Sequence, residues 1–378
     1  MGLTGPPARA AAVASAAMSD TPRPRLVVLF GGVSAERDVS CVSAAHVLAA
    51  IDSERFDVVP IGIDGDGRWL LADDAKALLD SGRSGELGST VAVAGTELEP
   101  LPAVAPVVAG QQVVVMPLIH GPLGEDGTVQ GMLELAGVPY VGTGVLGSAL
   151  CMDKVAAKAM AAAAGLPQAR HLASRDVHAG PAFLDSVVET LGLPVFVKPA
   201  NMGSSVGVAR ATDRQSLETA VADALRYDEW VIVEEAVVGR EIELGVLGNA
   251  ELRVSVPGEI IPNHEFYDYE DKYSDGGARL DIPAALPDDV VAAAQALALD
   301  AFRVLRCDGY ARVDLFYEEG GRGLLLNEVN TIPGFTPKSM FPMLWAATGV
   351  PYDELITEMV QLGIARQQHR AAFGRPQA

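Results

Sequence analysis

The residues with most chemical promise lie near the C-terminus, in Arg312-Val-Asp-Leu-Phe316 and, past a Gly-rich turn, Leu324-Leu-Leu-Asn-Glu-Val-Asn330. Aliphatic and β-branched residues alternate with polar ones on either side of Gly320, Gly321 and Gly323, which reads as a β-hairpin. Side chains repeat every two residues along a strand, so Arg312 and Asp314 share one face, and Glu328 and Asn330 share one face of the partner. Two carboxylates and an amide oxygen suit a hard divalent cation, and Mg²⁺ completes its octahedron with water and substrate phosphates. A solvated strand face with an ordinary ion pair is the plainer reading of such a pattern. The following Thr331-Ile-Pro-Gly-Phe335 argues against it, because a Gly-bearing turn brings backbone N–H groups toward the same point.

Other stretches carry features of phosphate chemistry. Leu193-Pro-Val-Phe-Val-Lys-Pro199 is a strand with Lys198 facing opposite to Val197, followed by the loop Ala200-Asn-Met-Gly-Ser-Ser-Val-Gly207 and a strand over 208–210. Glycines mixed with hydroxyls between two strands suit a phosphate cover whose amides approach oxygen closely. It is not a P-loop, since no Gly-Lys-Ser/Thr occurs. Residues 265–282 have no usable period and pack Phe266, Tyr267, Tyr269 and Tyr273 among acids, glycines and Lys272, which suggests a lid. Thr336-Pro-Lys-Ser-Met-Phe-Pro342 reads as one helical turn with free amides at its start, an anion site that Pro342 should end. Gly142-Thr-Gly-Val-Leu-Gly147 matches a dinucleotide fingerprint and raises a dehydrogenase as competitor. The acid expected about 20 residues further on is missing, so a domain hinge entering a helix over 149–164, closed by Gly165, fits better.

These pieces need a scaffold, and 378 residues suffice for two or three domains. Lys plus Arg number 28 against 49 Asp plus Glu, a net charge of −21, which disfavours nucleic acid or an anionic membrane as partner. Any phosphate ligand must be held locally. Cys41, Cys151 and Cys307 are odd in number and scattered, which implies a reducing cytoplasm with neither disulfide nor zinc framework. No apolar run reaches the roughly 20 residues of a membrane span. Residues 1–24 are Ala/Pro-rich without a Leu-type apolar core, so a disordered leader is expected, with Met18 as a second possible start.

Residues 26–30 form a short buried strand running into Gly31-Gly-Val-Ser-Ala-Glu-Arg-Asp-Val-Ser40 and a helix beginning near Cys41, the pattern of a parallel α/β unit with ligands at the strand's carboxyl end. Further strands are expected over 57–63 and 112–119, with His120-Gly-Pro-Leu-Gly-Glu-Asp-Gly127 leading into a helix over 128–136. Residues 81–106 read as a surface excursion. Thr212-x-x-Gln215 predicts a capping box, strands follow over 230–235 and 239–247, and a helix over 287–304 precedes the hairpin.

Taken together, these stretches resemble the D-alanine:D-alanine ligases, of the ATP-grasp fold. The likeness runs through the 30–40 and 120–127 loops, Met152-Asp-Lys154, Lys198-Pro with Gly203-Ser-Ser-Val-Gly207, Phe266-Tyr-Asp-Tyr-Glu-Asp-Lys-Tyr273, Arg312-Val-Asp314 and Asn327-Glu-Val-Asn-Thr-Ile-Pro-Gly334. The resemblance implies an α/β class with an α+β ATP-binding half: an N-terminal parallel α/β substrate domain (25–143), a central ATP-grasp domain (144–235), a C-terminal one (236–367) and a tail (368–378). It further implies two D-alanines joined through a D-alanyl phosphate with release of ADP and phosphate, for peptidoglycan precursors, by a cytoplasmic homodimer. A D-alanine:D-lactate ligase, another carboxylate-amine ligase and a regulatory nucleotide-binding module are the rivals. The Lys272-Tyr273 pair, absent from the D-lactate enzymes, speaks against the first of these.

Residue by residue, the resemblance gives Glu36 the first substrate's ammonium, in a network with Ser204 and Tyr273. Lys154 and Lys198 take ATP phosphates beneath the Ser204-Ser205 loop, with Lys272 near the γ-phosphate. Glu234 and Glu235 meet adenine, and Glu241 the ribose. Asp314, Glu328 and Asn330 become Mg²⁺ ligands, with Mn²⁺ able to substitute. Arg312 and the Gly334 amide form an oxyanion site, Ser339 and Met340 hold the second substrate's carboxylate, and His120 lies near the substrate pocket. ATP brings about four negatives, the substrate carboxylate about one, and Asp314 with Glu328 about two, against four positives on Lys154, Lys198, Lys272 and Arg312. The deficit of about three implies roughly two Mg²⁺.

Overall fold

The structure, a computed structural model, describes residues 22–261 and 278–373. Three sheets, met in chain order, carry the described residues.

The first block contains β1 (Arg25–Gly31), α1 (Arg37–Ala50), β2 (Asp57–Ile63), β3 (Trp69–Leu71), α2 (Asp73–Asp80), β4 (Glu97–Leu98), α3 (Pro100–Ala103), β5 (Val113–Pro117) and α4 (Thr128–Ala136). Strand order is β4-β3-β2-β1-β5. β1 pairs in parallel with β2 and β5, and Leu26 to Phe30 are fully buried, as a near-continuous apolar run covered on both faces requires. β3 and β4 add an antiparallel edge, so the sheet is mixed. The excursion over 81–106 supplies that edge strand and buries Val91 in the core, so it is part of the domain's packing. α1 starts at Arg37, four residues before Cys41, and buries Ser40, whose hydroxyl accepts from Gly31 N (2.8 Å) and donates to Leu118 O (2.6 Å). That hydroxyl ties the carboxyl ends of two parallel strands together, the edge where a ligand site is expected.

The second block runs through α5 (Val145–Met152), α6 (Lys154–Ala163), β6 (His171–Arg175), α7 (Pro181–Leu191), β7 (Val195–Pro199), β8 (Ala209–Ala211), α8 (Arg214–Ala224) and β9 (Trp230–Glu235). Its sheet is antiparallel, ordered β6-β9-β7-β8, with α7 and α8 against one face. The helix expected over 149–164 is two helices. Asp153 takes an extended conformation and its carboxylate accepts from the amides of Val155 and Ala156 (2.9 Å each), which ends α5 and starts α6 with Lys154 as first residue. The capping box likewise sits one residue beyond the expected place. Asp213 is the cap, and its carboxylate accepts from Ser216 N (2.7 Å) while Ser216 Oγ accepts from Asp213 N (3.0 Å).

The third block holds β10 (Arg240–Gly248), β11 (Leu252–Val254), β12 (Gly258–Ile261), β13 (Arg279–Asp281), α9 (Asp288–Val304), β14 (Gly309–Glu318), β15 (Gly323–Asn330), α10 (Met340–Ala347) and α11 (Tyr352–Ala371). Its sheet is ordered β13-β12-β10-β14-β15, with β11 paired to β10. α9 buries Ala294, Leu297, Ala298, Ala301 and Phe302, a stripe of three- and four-residue steps, against this sheet. Pro342 does not end the turn after Thr336. It is the third residue of α10, where the missing N–H has no intrahelical partner to lose, and Ser339 is the cap.

Candidate active site

A cleft of about 890 Å³ opens between the second and third sheets. Lys154, Lys198, Ser204, Ser205, Glu234 and Glu235 line it from one side, and Glu241, Arg312, Asp314 and Glu328 from the other.

On the third sheet the pairing register decides what meets. Asp314 lies opposite Glu328, and Arg312 opposite Asn330, so the two polar faces expected of the hairpin coincide. The register shifts between Asp314 and Leu315, a bulge just past the acidic pair. Arg312 forks onto Asp314, Nε to Oδ1 and Nη2 to Oδ2 at 2.7 Å each, and its Nε is 3.0 Å from Glu243 Oε2. Burial disfavours the guanidinium charge, but Asp314 and Glu243 outweigh it and hold Arg312 charged. Asn330 Oδ1 accepts from Ile332 N at 3.1 Å. Among the described residues no group of three or more His, Cys, Asp and Glu could hold a metal. The donors here are two carboxylates and an amide, all hard oxygens, which fits an ion that takes the rest of its shell from water and phosphate.

Across the cleft, Lys154 Nζ donates to Met202 O at 2.6 Å, anchoring the 200–207 loop. Ser204 and Ser205 both hold left-handed backbone (φ 45° and 60°), uncommon for non-glycine residues and the kind of strain found at ligand clamps. Lys198 Nζ donates to Glu234 Oε2 at 3.2 Å, and Lys158 Nζ stands 3.6 Å from Glu234 Oε1. Burial pushes the Glu234 carboxyl up, yet Lys158 and Lys198 overcome this and bring it down to about 2. Burial lowers Lys154 and Lys158, whereas for Lys198 the pull of Glu234 and Glu328 exceeds the burial penalty and raises it. Glu235 points elsewhere, its carboxylate accepting from Arg170 N (2.8 Å) and Nε (2.7 Å) and pairing with Arg322.

A second cluster adjoins the cleft through Ser204, whose hydroxyl donates to Glu36. Gly203 and Gly121 admit that carboxylate, since a Cβ would come within 2.8 Å of Glu36 Oε2 at the first and 3.0 Å at the second. His120 Nδ1–H donates to Ile332 O at 2.9 Å. Burial lowers the His120 pKa, so the ring is neutral with Nε2 as the bare nitrogen, and that atom is buried without a hydrogen-bond partner among the described residues. Gly334 lies against Ser339, where a Cβ would be 3.3 Å from the hydroxyl, and Ser339 Oγ accepts from Thr336 N at 3.0 Å. Met340 follows, buried, at the start of α10. Glu36, His120, Asn330, Gly334, Ser339 and Met340 thus sit outside the cleft lining. Lys272 and Tyr273 lie outside the described residues.

Four residues of the site were not singled out by sequence. Lys158 follows Lys154 by one helical turn on the same face, a spacing that offered a signal. Glu243 lies opposite Asp314 across β10 and β14, which only the register reveals. Asn327 lines the cleft. Glu125 is buried, accepts from Gly121 N at 2.6 Å, and is pushed up to about 8 by burial and the nearby Glu36.

Comparison with known proteins identifies the family and the fold. The family model "D-ala D-ala ligase N-terminus" matches residues 25–143, and "D-ala D-ala ligase C-terminus" residues 160–361. The D-alanine--D-alanine ligase of Kineococcus radiotolerans is 48% identical over 374 residues, covering 92% of this chain and 99% of that protein. The enzyme of the same name from Geobacillus thermodenitrificans is 46% identical over 353 residues, covering 92% and 97%. Among solved structures, the D-alanine-D-alanine ligase from Coxiella burnetii superposes with a TM-score of 0.77 at 33% identity, over 93% of this chain and 96% of that one. The VanG D-Ala:D-Ser ligase from Enterococcus faecalis gives 0.77 and 33% over 90% and 100%.

Proposed function

This chain belongs to the D-alanine:D-alanine ligase family, and from that premise we infer that it joins two D-alanines to D-alanyl-D-alanine for peptidoglycan synthesis, converting ATP to ADP and phosphate. The observation that carries the residue assignments is the cross-strand placement of Asp314 against Glu328 beside Arg312, facing Lys154 and Lys198 over one cleft. A carboxylate is a poor electrophile, so the first D-alanine must be activated by the γ-phosphoryl group before an amine can displace phosphate. Lys154 and Lys198 hold the ATP phosphates, the 200–207 loop covers them, and Glu241 meets the ribose. The Glu234 carboxylate, fixed by two lysines, faces adenine. The Glu235 side chain is engaged by arginines, so its contribution to the nucleotide is its backbone.

Asp314, Glu328 and Asn330 are the residues that would hold two Mg²⁺, or Mn²⁺ in their place, and such ions would supply the neutralisation of negative charge that phosphoryl transfer requires. Glu243 adds a negative charge beside Arg312 while Lys158 offsets Glu234, so the negative excess that calls for divalent cations stands. Glu36 holds the first substrate's ammonium with Ser204 hydrogen-bonded to it. Arg312 and the Gly334 amide stabilise the tetrahedral oxyanion, and Ser339 with Met340 receives the second substrate's carboxylate. Lys272 and Tyr273 close over both. The division into domains 25–143, 144–235 and 236–367, a homodimer and a cytoplasmic site of action complete the proposal. No helix of the described residues is long and apolar enough to cross a membrane. Phosphate release measured across D- and L-amino acids and D-lactate tests the reading: D-alanine alone should support it, and a better response to D-lactate would overturn it.

A further inference from the structure

Resting on the ligase reading and its metal assignment, we propose that Asn327 is a positioning residue of the metal site, its side-chain Oδ1 accepting a hydrogen bond from water on the divalent cation that Asp314 and Glu328 would hold. Strand alternation breaks at this residue. Asp314 lies opposite Glu328 and Leu315 opposite Leu326, so Asn327 is the extra residue of a β-bulge and has no partner on β14. Strict alternation would send Leu326 and Glu328 to the same face. Instead Leu326 and Val329 are buried with Val313 and Leu315 in the core under α9, while Asn327 and Glu328 both line the cleft. One inserted residue thus sets an amide beside a proposed metal ligand, on the wall that faces Lys154 and Lys198.

The backbone holds the bulge in place. Leu326 N donates to Pro167 O at 2.7 Å and Leu326 bridges to Gln168, which pins β15 to the second block one residue before the bulge. Glu328 and Val329 pair with β14 one and two residues after it. An asparagine in irregular backbone commonly turns its side chain onto a neighbouring peptide. Here Oδ1 is buried with no hydrogen-bond partner among the described residues, so this acceptor is not spent on fixing the bulge. A buried polar atom left unpaired costs about 1–3 kcal/mol. The χ2 torsion of an asparagine is soft, so Oδ1 can turn into the cleft and lose no hydrogen bond in doing so. The donor it would meet there is water on a hard cation, which keeps several waters when few carboxylates bind it. Groups that hold metal-bound water or ligands from outside the coordination shell set the metal's affinity as well as its orientation.

The test compares Asn327→Leu, of the same shape without an acceptor, with Asn327→Asp, which keeps an acceptor oxygen. Mn²⁺ is titrated into the full-length protein saturated with ADP, with free Mn²⁺ read by electron paramagnetic resonance, and ADP affinity is measured separately in chelator by calorimetry. Asn327→Leu is expected to weaken Mn²⁺ binding by about tenfold or more, with metal-free ADP affinity changed less than about twofold. Asn327→Asp is expected to bind Mn²⁺ at least as tightly as wild type. A Leu variant that binds Mn²⁺ like wild type overturns the proposal. So does an Asp variant as weak as Leu, since an acceptor oxygen would then not be what matters. Equal loss of ADP affinity in chelator overturns it too, because the amide would then be donating to the nucleotide itself. Should Leu not fold, Asn327→Ala, which only withdraws the amide from the cleft wall, is expected to show the same split of Mn²⁺ from ADP affinity. Wild type that binds no Mn²⁺ in the presence of ADP would count against the parent metal assignment, whereas wild-type binding with an unchanged Leu variant counts against Asn327 only.

Discussion

Lys158→Met tests whether the buried carboxylate at the back of the cleft is held by two lysines rather than one. Glu234 is 3% exposed and is brought from its ordinary 4.5 to about 2 against the opposing effect of burial. At 1.36 kcal/mol per pH unit this difference is worth about 3 kcal/mol to the folded state. Lys158 exerts the largest single Coulombic pull on Glu234 while Lys198 adds a hydrogen bond to its own, so loss of Lys158 should remove about 2 kcal/mol, less than breaking a buried ion pair outright because Lys198 remains. That predicts a melting temperature lower by about 2–4 °C at pH 7. The sign with pH follows from the depressed carboxyl: its stabilisation is present above the unfolded value near 4.5 and disappears as pH falls toward 2. The gap between wild type and variant should therefore be widest at neutral pH and close between about pH 4.5 and 2. Thermal unfolding from pH 7 to pH 3 reads this directly. Equal melting at pH 7, or a gap that does not change with pH, would refute the electrostatic account.

Other expectations concern the chemistry. Glu328→Gln should cut D-alanine-dependent phosphate release at least about a hundredfold while circular dichroism and melting stay near wild type; near-normal turnover would remove Glu328 from the metal site. Arg312→Lys keeps a positive charge but loses the fork onto Asp314, and should cost about 3–4 kcal/mol of transition-state stabilisation, read as kcat/KM for D-alanine. Ser204→Ala removes the hydroxyl from Glu36 and should raise KM for D-alanine roughly tenfold, about 1.4 kcal/mol, with KM for ATP little altered. Chelation should abolish turnover and added Mg²⁺ or Mn²⁺ restore it; activity unaffected by chelator would contradict the divalent-cation assignment.

Much of this architecture was legible because strand periodicity is strict. Alternation placed Arg312 with Asp314 and Glu328 with Asn330, and the Gly-rich turn set the two strands side by side, so the meeting of Asp314 with Glu328 needed only a matching register. Helix ends were harder to read. Asp153 interrupts an Ala-rich run that has no Gly or Pro at the break, because a carboxylate two residues before free amides can start a new helix without any helix breaker. Asp213 displaced Thr212 as cap for a similar reason, with Ser216 there to reciprocate. Pro342 misled because proline in a first helical turn and proline ending a turn look alike without knowing where the helix begins. Glu243 was illegible in a deeper sense: it meets Asp314 and Arg312 only across strands far apart in the chain, and nothing local marks it.

The central claim is that the two faces of the cleft work as one ATP-driven amide-forming centre. Simultaneous measurement of phosphate and D-alanyl-D-alanine from the purified protein with Mg-ATP and D-alanine tests it most directly. The account predicts one phosphate per dipeptide and neither product without D-alanine. Phosphate released with no dipeptide, or at the same rate when D-alanine is left out, would contradict it.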